Sequence, residues 1–269
     1  MKRIVILGST GMLGHKVYEH FSNLKNYEVF GSYRTKSVAP IRNSFFFDAE
    51  SPDWSTIPEC DYILNCIGVI KPFMKGNTFG AIKINSLFPW MLSEWCESNN
   101  TRLIHITTDC VFSGNDGSYT EESFHDCLDD YGKSKSLGEP TNCMVIRTSI
   151  IGEEIHKNAS LIAWAKTQKG KSVNGFLNHD WNGVTTLEYA KVCQQVIENE
   201  LYEVGLYHVH SPQSVNKFEL LQIISDRFEL ELDVNAFETP NSCDRSLSST
   251  KQLINKLNVS TIEKQIGEL

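Results

Sequence analysis

GSTGMLG, residues 8–14, follows the short apolar run RIVILG (3–8) and leads into a segment of helical spacing from residue 12 to 25. Its glycines at 8, 11 and 14 recur every three residues where a strand gives way to a helix. A tight turn asks for the first glycine, close approach of backbone to a diphosphate for the second, and close packing of helix on strand for the third. The amides at the helix start would face the anion. The spacing GxxGxxG differs from GxGxxG, and a turn serving packing alone is the plainer alternative. The strand-to-helix context favours a dinucleotide site made by Gly8, Thr10, Gly11, Met12, Leu13 and Gly14.

Outward from this turn, apolar runs at 3–8, 28–33, 44–48, 61–66, 102–107 and 143–148 alternate with helical patterns at 12–25, 77–99 and 131–139. That alternation predicts a parallel sheet with crossover helices, a Rossmann-type doubly wound α/β fold. The longest helix carries Ile82, Leu87, Met91, Leu92 and Trp95 as its expected apolar stripe. After residue 150 the rhythm changes to helices near 158–168, 185–200 and 217–228, with short strands around 171–174 and 205–210. The reading divides the chain into a dinucleotide-binding domain at 1–150, with 181–203 packing back on it, and a smaller substrate-binding region from 151–180 and 204–269.

Composition narrows the function. The chain of 269 residues is 41% hydrophobic, which is ample for a large core. A net charge of −8 argues against a nucleic-acid partner, so any anionic ligand must be held locally. No run is long enough for a membrane span, and only five apolar residues precede the first glycine, which speaks against a signal peptide; the expected location is cytoplasmic. The eight cysteines, at 60, 66, 96, 110, 127, 143, 193 and 243, form no CxxC pair and are read as reduced. His208 and His210 share a strand face, but no further ligand stands near them in sequence, so no metal is expected.

Two sites bear on chemistry. At the end of the second strand stand Ser32, Tyr33 and Arg34, where an acid would bind the 2′-hydroxyl of NAD and an arginine suits the 2′-phosphate of NADP. Glu28 lies at the strand's other end, so Arg34 predicts NADP, with NADPH preferred over NADH. Downstream, DDYGKSK (129–135) sets Tyr131 and Lys135 one helical turn apart. The ammonium could then lower the tyrosine pKa and make it a proton donor, although such a pair also arises by chance.

The glycine turn, NCIG after the fourth strand, TTDCVFSG after the fifth and YGKSK stand in the order of an extended short-chain dehydrogenase/reductase. VIRTSIIG (145–152), GLYHVHS (205–211) and DRSLSSTKQL (244–253) extend the likeness, and nearly the whole chain resembles dTDP-4-dehydrorhamnose reductases. The resemblance implies Thr108, Tyr131 and Lys135 as catalytic residues, with Thr107 competing for the first place. It implies Asp48 and Ala49 beside the adenine, Cys66, Ile67 and Gly68 beneath the cofactor, and Tyr131 and Lys135 touching it as well. On the substrate side it implies Thr108, Val111, Phe112, Tyr131, Trp181, Asn182 and, for the diphosphate, Arg245. A salt bridge from Arg245 to Asp244 is the structural alternative.

Nucleotide-sugar 4,6-dehydratases carry Thr-Asp-Glu where this chain has Thr108, Asp109 and Cys110. The missing third carboxylate removes a dehydratase, although the reductases more often have tyrosine at position 110. The expected activity is NADPH-dependent reduction of a nucleotide-linked 4-keto-6-deoxy sugar for surface polysaccharide synthesis. The partner is the nucleotide sugar, and a homodimer is compatible. A nucleotide-sugar epimerase with tightly bound NAD, or a non-catalytic dinucleotide-binding regulator, are the alternatives.

Overall fold

The computed structural model describes residues 1–35, 42–155 and 159–269. Its strands are β1 (Lys2–Leu7), β2 (Tyr27–Tyr33), β3 (Ser44–Phe46), β4 (Tyr62–Asn65), β5 (Arg102–Thr108), β6 (Met144–Thr148), β7 (Ile150–Ile151), β8 (Ser172–Phe176), β9 (His179–Trp181), β10 (Val184–Thr185), β11 (Gly205–His208), β12 (Val215–Asn216), β13 (Asp233–Phe237) and β14 (Cys243–Asp244). Seven of them form a sheet in the order β11-β6-β5-β4-β1-β2-β3, with every neighbouring pair parallel. The Rossmann-type α/β architecture is therefore as the glycine turn indicates. The strand order reverses between β1 and β4, and the crevice at their carboxyl ends is where such sheets bind ligands.

Alternating side chains send each strand's apolar atoms to both faces, as buried parallel strands require. Ile4 and Ile6 of β1 join a core with helices α1 (Met12–Ser22) and, later in the chain, Thr186–Glu198; Val5 and Leu7 join a second core on the opposite face. On that second face lies one helical run, α2 (Thr78–Ile82), a wide π turn at Lys83–Leu87 and α3 (Phe88–Ser98). Its buried stripe is Ile84, Phe88, Leu92 and Cys96, whereas Ile82 and Leu87 of the expected stripe are 46% and 53% exposed. The wide turn changes the helical phase, which a simple 3.6-residue count cannot register.

The remaining helices are α4 (Asp130–Ser136), α5 (Leu161–Thr167), α6 (Thr186–Glu198) and α7 (Lys217–Arg227), followed by short turns at Leu253–Lys256 and Ile262–Gly267. Residue 158, where the helix expected near 158–168 would begin, lies outside the described residues; the helix is described as α5. Beyond β6 a separate apolar cluster gathers Ile162, Val173, Trp181, Leu220, Ile224 and Ile266. It belongs to a smaller layer in which β8 pairs with β13, and β9 with β12 and β14. One segment differs from its expected place: Gly205–His208 is the edge strand of the main sheet beside β6, and Tyr207 and Val209 enter the main core. Its apolar alternation marks a strand, but alternation does not say which sheet it joins.

Candidate active site

The glycine turn is built as a ligand cradle. Gly8 sits at φ +82, in the left-handed region, with its amide donating to Ser32 Oγ at 2.8 Å. A Cβ on Gly14 would lie 2.1 Å from the Gly8 carbonyl oxygen, so helix and strand meet at a distance only glycine permits. Helix α1 starts after Gly11 with no side-chain cap and no acid in its first turn. Its first amides are thus left for an anion, which the helix dipole favours.

This turn opens one end of a cavity of about 1290 Å³. Gly8, Thr10, Gly11, Met12 and Leu13 line it, as do Arg34, Ala49, Cys66, Ile67 and Gly68. Gly14 lies behind the turn as its packing contact. Asp48 does not line the cavity either; its carboxylate accepts the Glu50 amide at 3.1 Å, the work of a turn residue. Glu50 does line it, 3.9 Å from Arg34, and the two side chains are partly exposed, Arg34 the more so. Glu28 pairs with Arg3 at 3.1 Å, away from this end.

Tyr131 and Lys135 enter the same cavity from α4. Asp129 caps that helix by accepting the Gly132 amide at 3.0 Å. Asn85, in the π turn, bridges it to the loop after β4: its amide donates to Ser134 Oγ at 3.1 Å and its oxygen accepts from Val69 N–H at 2.8 Å. Lys135 is 5% exposed and donates to the Ile106 carbonyl at 3.2 Å. Burial lowers its pKa to about 8, partly countered by Glu139.

The expected tuning of Tyr131 takes the opposite sign. Burial raises the phenol pKa, the Cys110 thiol adds to the rise, and a hydrogen bond with Thr108 only partly opposes them. The helical spacing brings lysine and tyrosine to one cavity, but desolvation sets the direction of the phenol's shift.

Thr107 and Thr108 both line the cavity. Thr107 Oγ1 is buried without a partner, while Thr108 Oγ1 accepts from Cys110 N–H and donates to Asp109 Oδ1, each at 3.1 Å. Asp109 is only 4% exposed. Burial raises its pKa, opposed by Arg245, Thr108, Lys217 and Ser149 in that order. The Cys110 thiol is likewise pushed up to about 12 by burial, so it is no thiolate nucleophile.

Trp181, Lys217 and Arg245 also line the cavity. Arg245 forms no bridge to Asp244: its Nε donates to Phe112 O at 2.9 Å and its Nη2 to Ser113 O at 3.2 Å, while Asp244 accepts the Ser246 amide. Three expected substrate contacts are not at the cavity wall. Val111 and Phe112 are fully buried with Tyr119 and Leu247, and Phe112 stacks on Tyr119 at 4.2 Å. Asn182 spends its amide on both backbone groups of Leu247, at 2.8 Å each, and so fixes the strand end that carries Arg245.

Lys217 was not singled out by sequence. Its ammonium lies 5.3 Å over the Trp181 ring, and burial lowers its pKa against the pull of Asp109. A signal did exist: Asn216 and Glu219 form a capping box, so Lys217 occupies the first helical position, where a cation opposes the dipole. Arg147, on β6, is fully buried in a structural network, bidentate to Glu139 and bonded to His125 and His208. All eight cysteines are free. Among the described residues, no helix is long and apolar enough to cross a membrane.

The residues present fit a bound dinucleotide: the open glycine cradle and the uncapped helix start face the same space. The family model of the RmlD substrate binding domain matches residues 1–263. Among curated proteins, methionine adenosyltransferase 2 subunit beta of Danio rerio is 25% identical over 250 residues, covering 85% of this chain and 75% of that protein. Among solved structures, a hypothetical dTDP-4-dehydrorhamnose reductase from Sulfolobus tokodaii has a TM-score of 0.78 at 23% identity, covering 97% of this chain and 96% of the other. The dTDP-4-dehydrorhamnose reductase of Bacillus anthracis, solved in complex with NADP, has a TM-score of 0.77 at 19% identity, covering 100% and 98%.

Proposed function

The chain belongs to the RmlD substrate binding domain family, and from that premise we propose that it reduces the 4-keto group of a nucleotide-linked 6-deoxy sugar with NADPH. The observation that carries this reading is one continuous cavity. The glycine cradle and Arg34, then Thr108, Tyr131 and Lys135, and also Lys217 and Arg245 all line it. A dinucleotide and an anionic nucleotide sugar can meet there, with a carbonyl beside Tyr131.

NADPH, when bound, supplies hydride to the carbonyl carbon. Tyr131 then gives its proton to the oxygen. A raised pKa keeps the phenol protonated until that oxygen becomes an alkoxide, a stronger base than a phenolate, so transfer remains downhill. Lys135, with a pKa of about 8, is mostly cationic at neutral pH and serves as the ribose anchor. Arg34 suits the 2′-phosphate, and Arg245 with Lys217 suits the substrate diphosphate. The cavity wall also holds Cys110, which gives the sugar more room than the tyrosine more common in reductases of this kind.

The likeness to a subunit of another enzyme favours a second reading, dinucleotide binding without turnover. One assay separates the two: NADPH oxidation against dTDP- and UDP-linked 4-keto-6-deoxy sugars. Turnover with one of them is expected. Tight NADPH binding without oxidation across the panel would favour the second reading.

A further inference from the structure

Thr108 has a single hydroxyl hydrogen; with Asp109 ionised it goes to that carboxylate, and the Tyr131 phenol, which also hydrogen-bonds to Thr108, is then the donor of that pair. The hydroxyl accepts from Cys110 N–H at 3.1 Å and donates to Asp109 Oδ1 at 3.1 Å. A substrate carbonyl oxygen reaching Thr108 in this state meets lone pairs, not a donor. If Asp109 is a carboxylic acid instead, the bond reverses. The acid's O–H donates to Thr108 Oγ1, and the threonine hydrogen is freed towards the cavity.

We propose that Asp109 works in its protonated form, as a positioning residue that turns the Thr108 hydroxyl towards the substrate oxygen and thereby sets an alkaline limit on turnover. The inference rests on the ketone-reductase reading and adds a residue to it. Asp109 takes its proton from solvent before the chemical step and keeps it throughout, so no atom is consumed.

The surroundings suit a carboxyl that holds a proton. Asp109 is 4% exposed, and burial disfavours its charge. Arg245 faces it from the segment after β14, Lys217 from the first turn of α7, and the Ser149 hydroxyl from the end of β6; all oppose the rise. Cys110 beside it and Tyr131 from α4 stay neutral, since burial raises both. An anionic substrate that engages Arg245 and Lys217 offsets their positive charge, which strengthens the hold of Asp109 on its proton.

Asp109→Asn imitates the acid. Its carbonyl oxygen faces Arg245 and Lys217, and its amide nitrogen donates to Thr108. Turnover should stay within about tenfold of the parent, while the alkaline profile of kcat/KM changes to the fall near pH 8 that loss of the Lys135 charge imposes by itself. Infrared difference spectra of the NADPH-loaded parent should carry a protonated-carboxyl band that Asp109→Asn removes. Thr108→Val should shift that band and slow turnover, so the assignment survives even if Asp109→Asn folds poorly. Three results would overturn the proposal: a loss of roughly 10² or more in Asp109→Asn at parental melting temperature and NADPH affinity, an unchanged alkaline fall in that variant, or parental turnover in Thr108→Val. If the parent reduces no keto sugar at all, the reductase reading fails, and the infrared band alone still decides the protonation of Asp109.

Discussion

Replacing Gly14 and Gly11 by alanine, one at a time, should separate the two duties of the glycine turn. At Gly14 an added Cβ would lie 2.1 Å from Gly8 O, 2.6 Å from Gly8 C and 3.1 Å from Ser9 Cα. All three are backbone atoms, so no side chain can swing aside. Restoring an ordinary separation of about 3.5 Å needs roughly 1.4 Å of movement between α1 and the end of β1. Overpacking of this kind costs about 1–3 kcal/mol. At roughly 2–4 °C per kcal/mol for a chain near this size, the ligand-free melting temperature should fall by about 2–12 °C. At Gly11 the same methyl meets only Gly8 O, at 3.4 Å, an ordinary contact. Gly11→Ala should therefore cost less than about 1 kcal/mol, from the weaker N-cap alone. It should still weaken dinucleotide binding, because the methyl stands where the diphosphate must approach. Thermal unfolding without ligand and NADPH titration read the two effects separately. Parental melting in Gly14→Ala, or parental NADPH affinity in Gly11→Ala, would refute the reasoning.

Arg34→Ala should weaken NADPH roughly 10- to 100-fold, the worth of a charge-assisted contact, and leave NADH nearly unchanged in fluorescence titrations. Arg245→Ala should raise the KM of the sugar nucleotide at least tenfold while NADPH affinity stays near the parent's, as steady-state kinetics and a separate cofactor titration would show. Lys135→Met should abolish NADPH retention yet stabilise the ligand-free protein at neutral pH. Burial lowers the Lys135 pKa from 10.5 to about 8, so the folded state is penalised for its charge below about pH 8. Between those values the unfolded chain binds the extra proton, and parental stability rises with pH. Denaturant melts of parent and variant should differ most below pH 8 and converge towards pH 10.5.

Much of the fold was legible in sequence because its signals are local. Gly8, Gly11 and Gly14 announce a strand-to-helix turn, and each buried parallel strand is a short apolar run. Phase and partnership were less legible. The π turn at Lys83–Leu87 moved the buried stripe to Ile84, Phe88, Leu92 and Cys96, and the strand at Gly205–His208 joined a sheet that its alternation could not specify. In the site, the motif residues converge on one cavity, but Val111, Phe112 and Asn182 shape it from behind. The sign of the Tyr131 shift depends on desolvation, a property of the assembled cleft that helical spacing does not contain. Lys217 left a trace in its unfavourable place at a helix start, and Asp109 none beyond its position after Thr108.

Following the label from NADPH deuterated at the transferable position tests the central claim most directly, with parent and Tyr131→Phe run side by side on a dTDP-linked 4-keto-6-deoxy sugar. The account predicts one deuterium at C4 of the product for each NADPH oxidised by the parent. Tyr131→Phe should be slower by about 10²–10⁴, with NADPH affinity nearly unchanged. Oxidation of NADPH at the parental rate in Tyr131→Phe, or no deuterium in the sugar recovered from the parent, would contradict it.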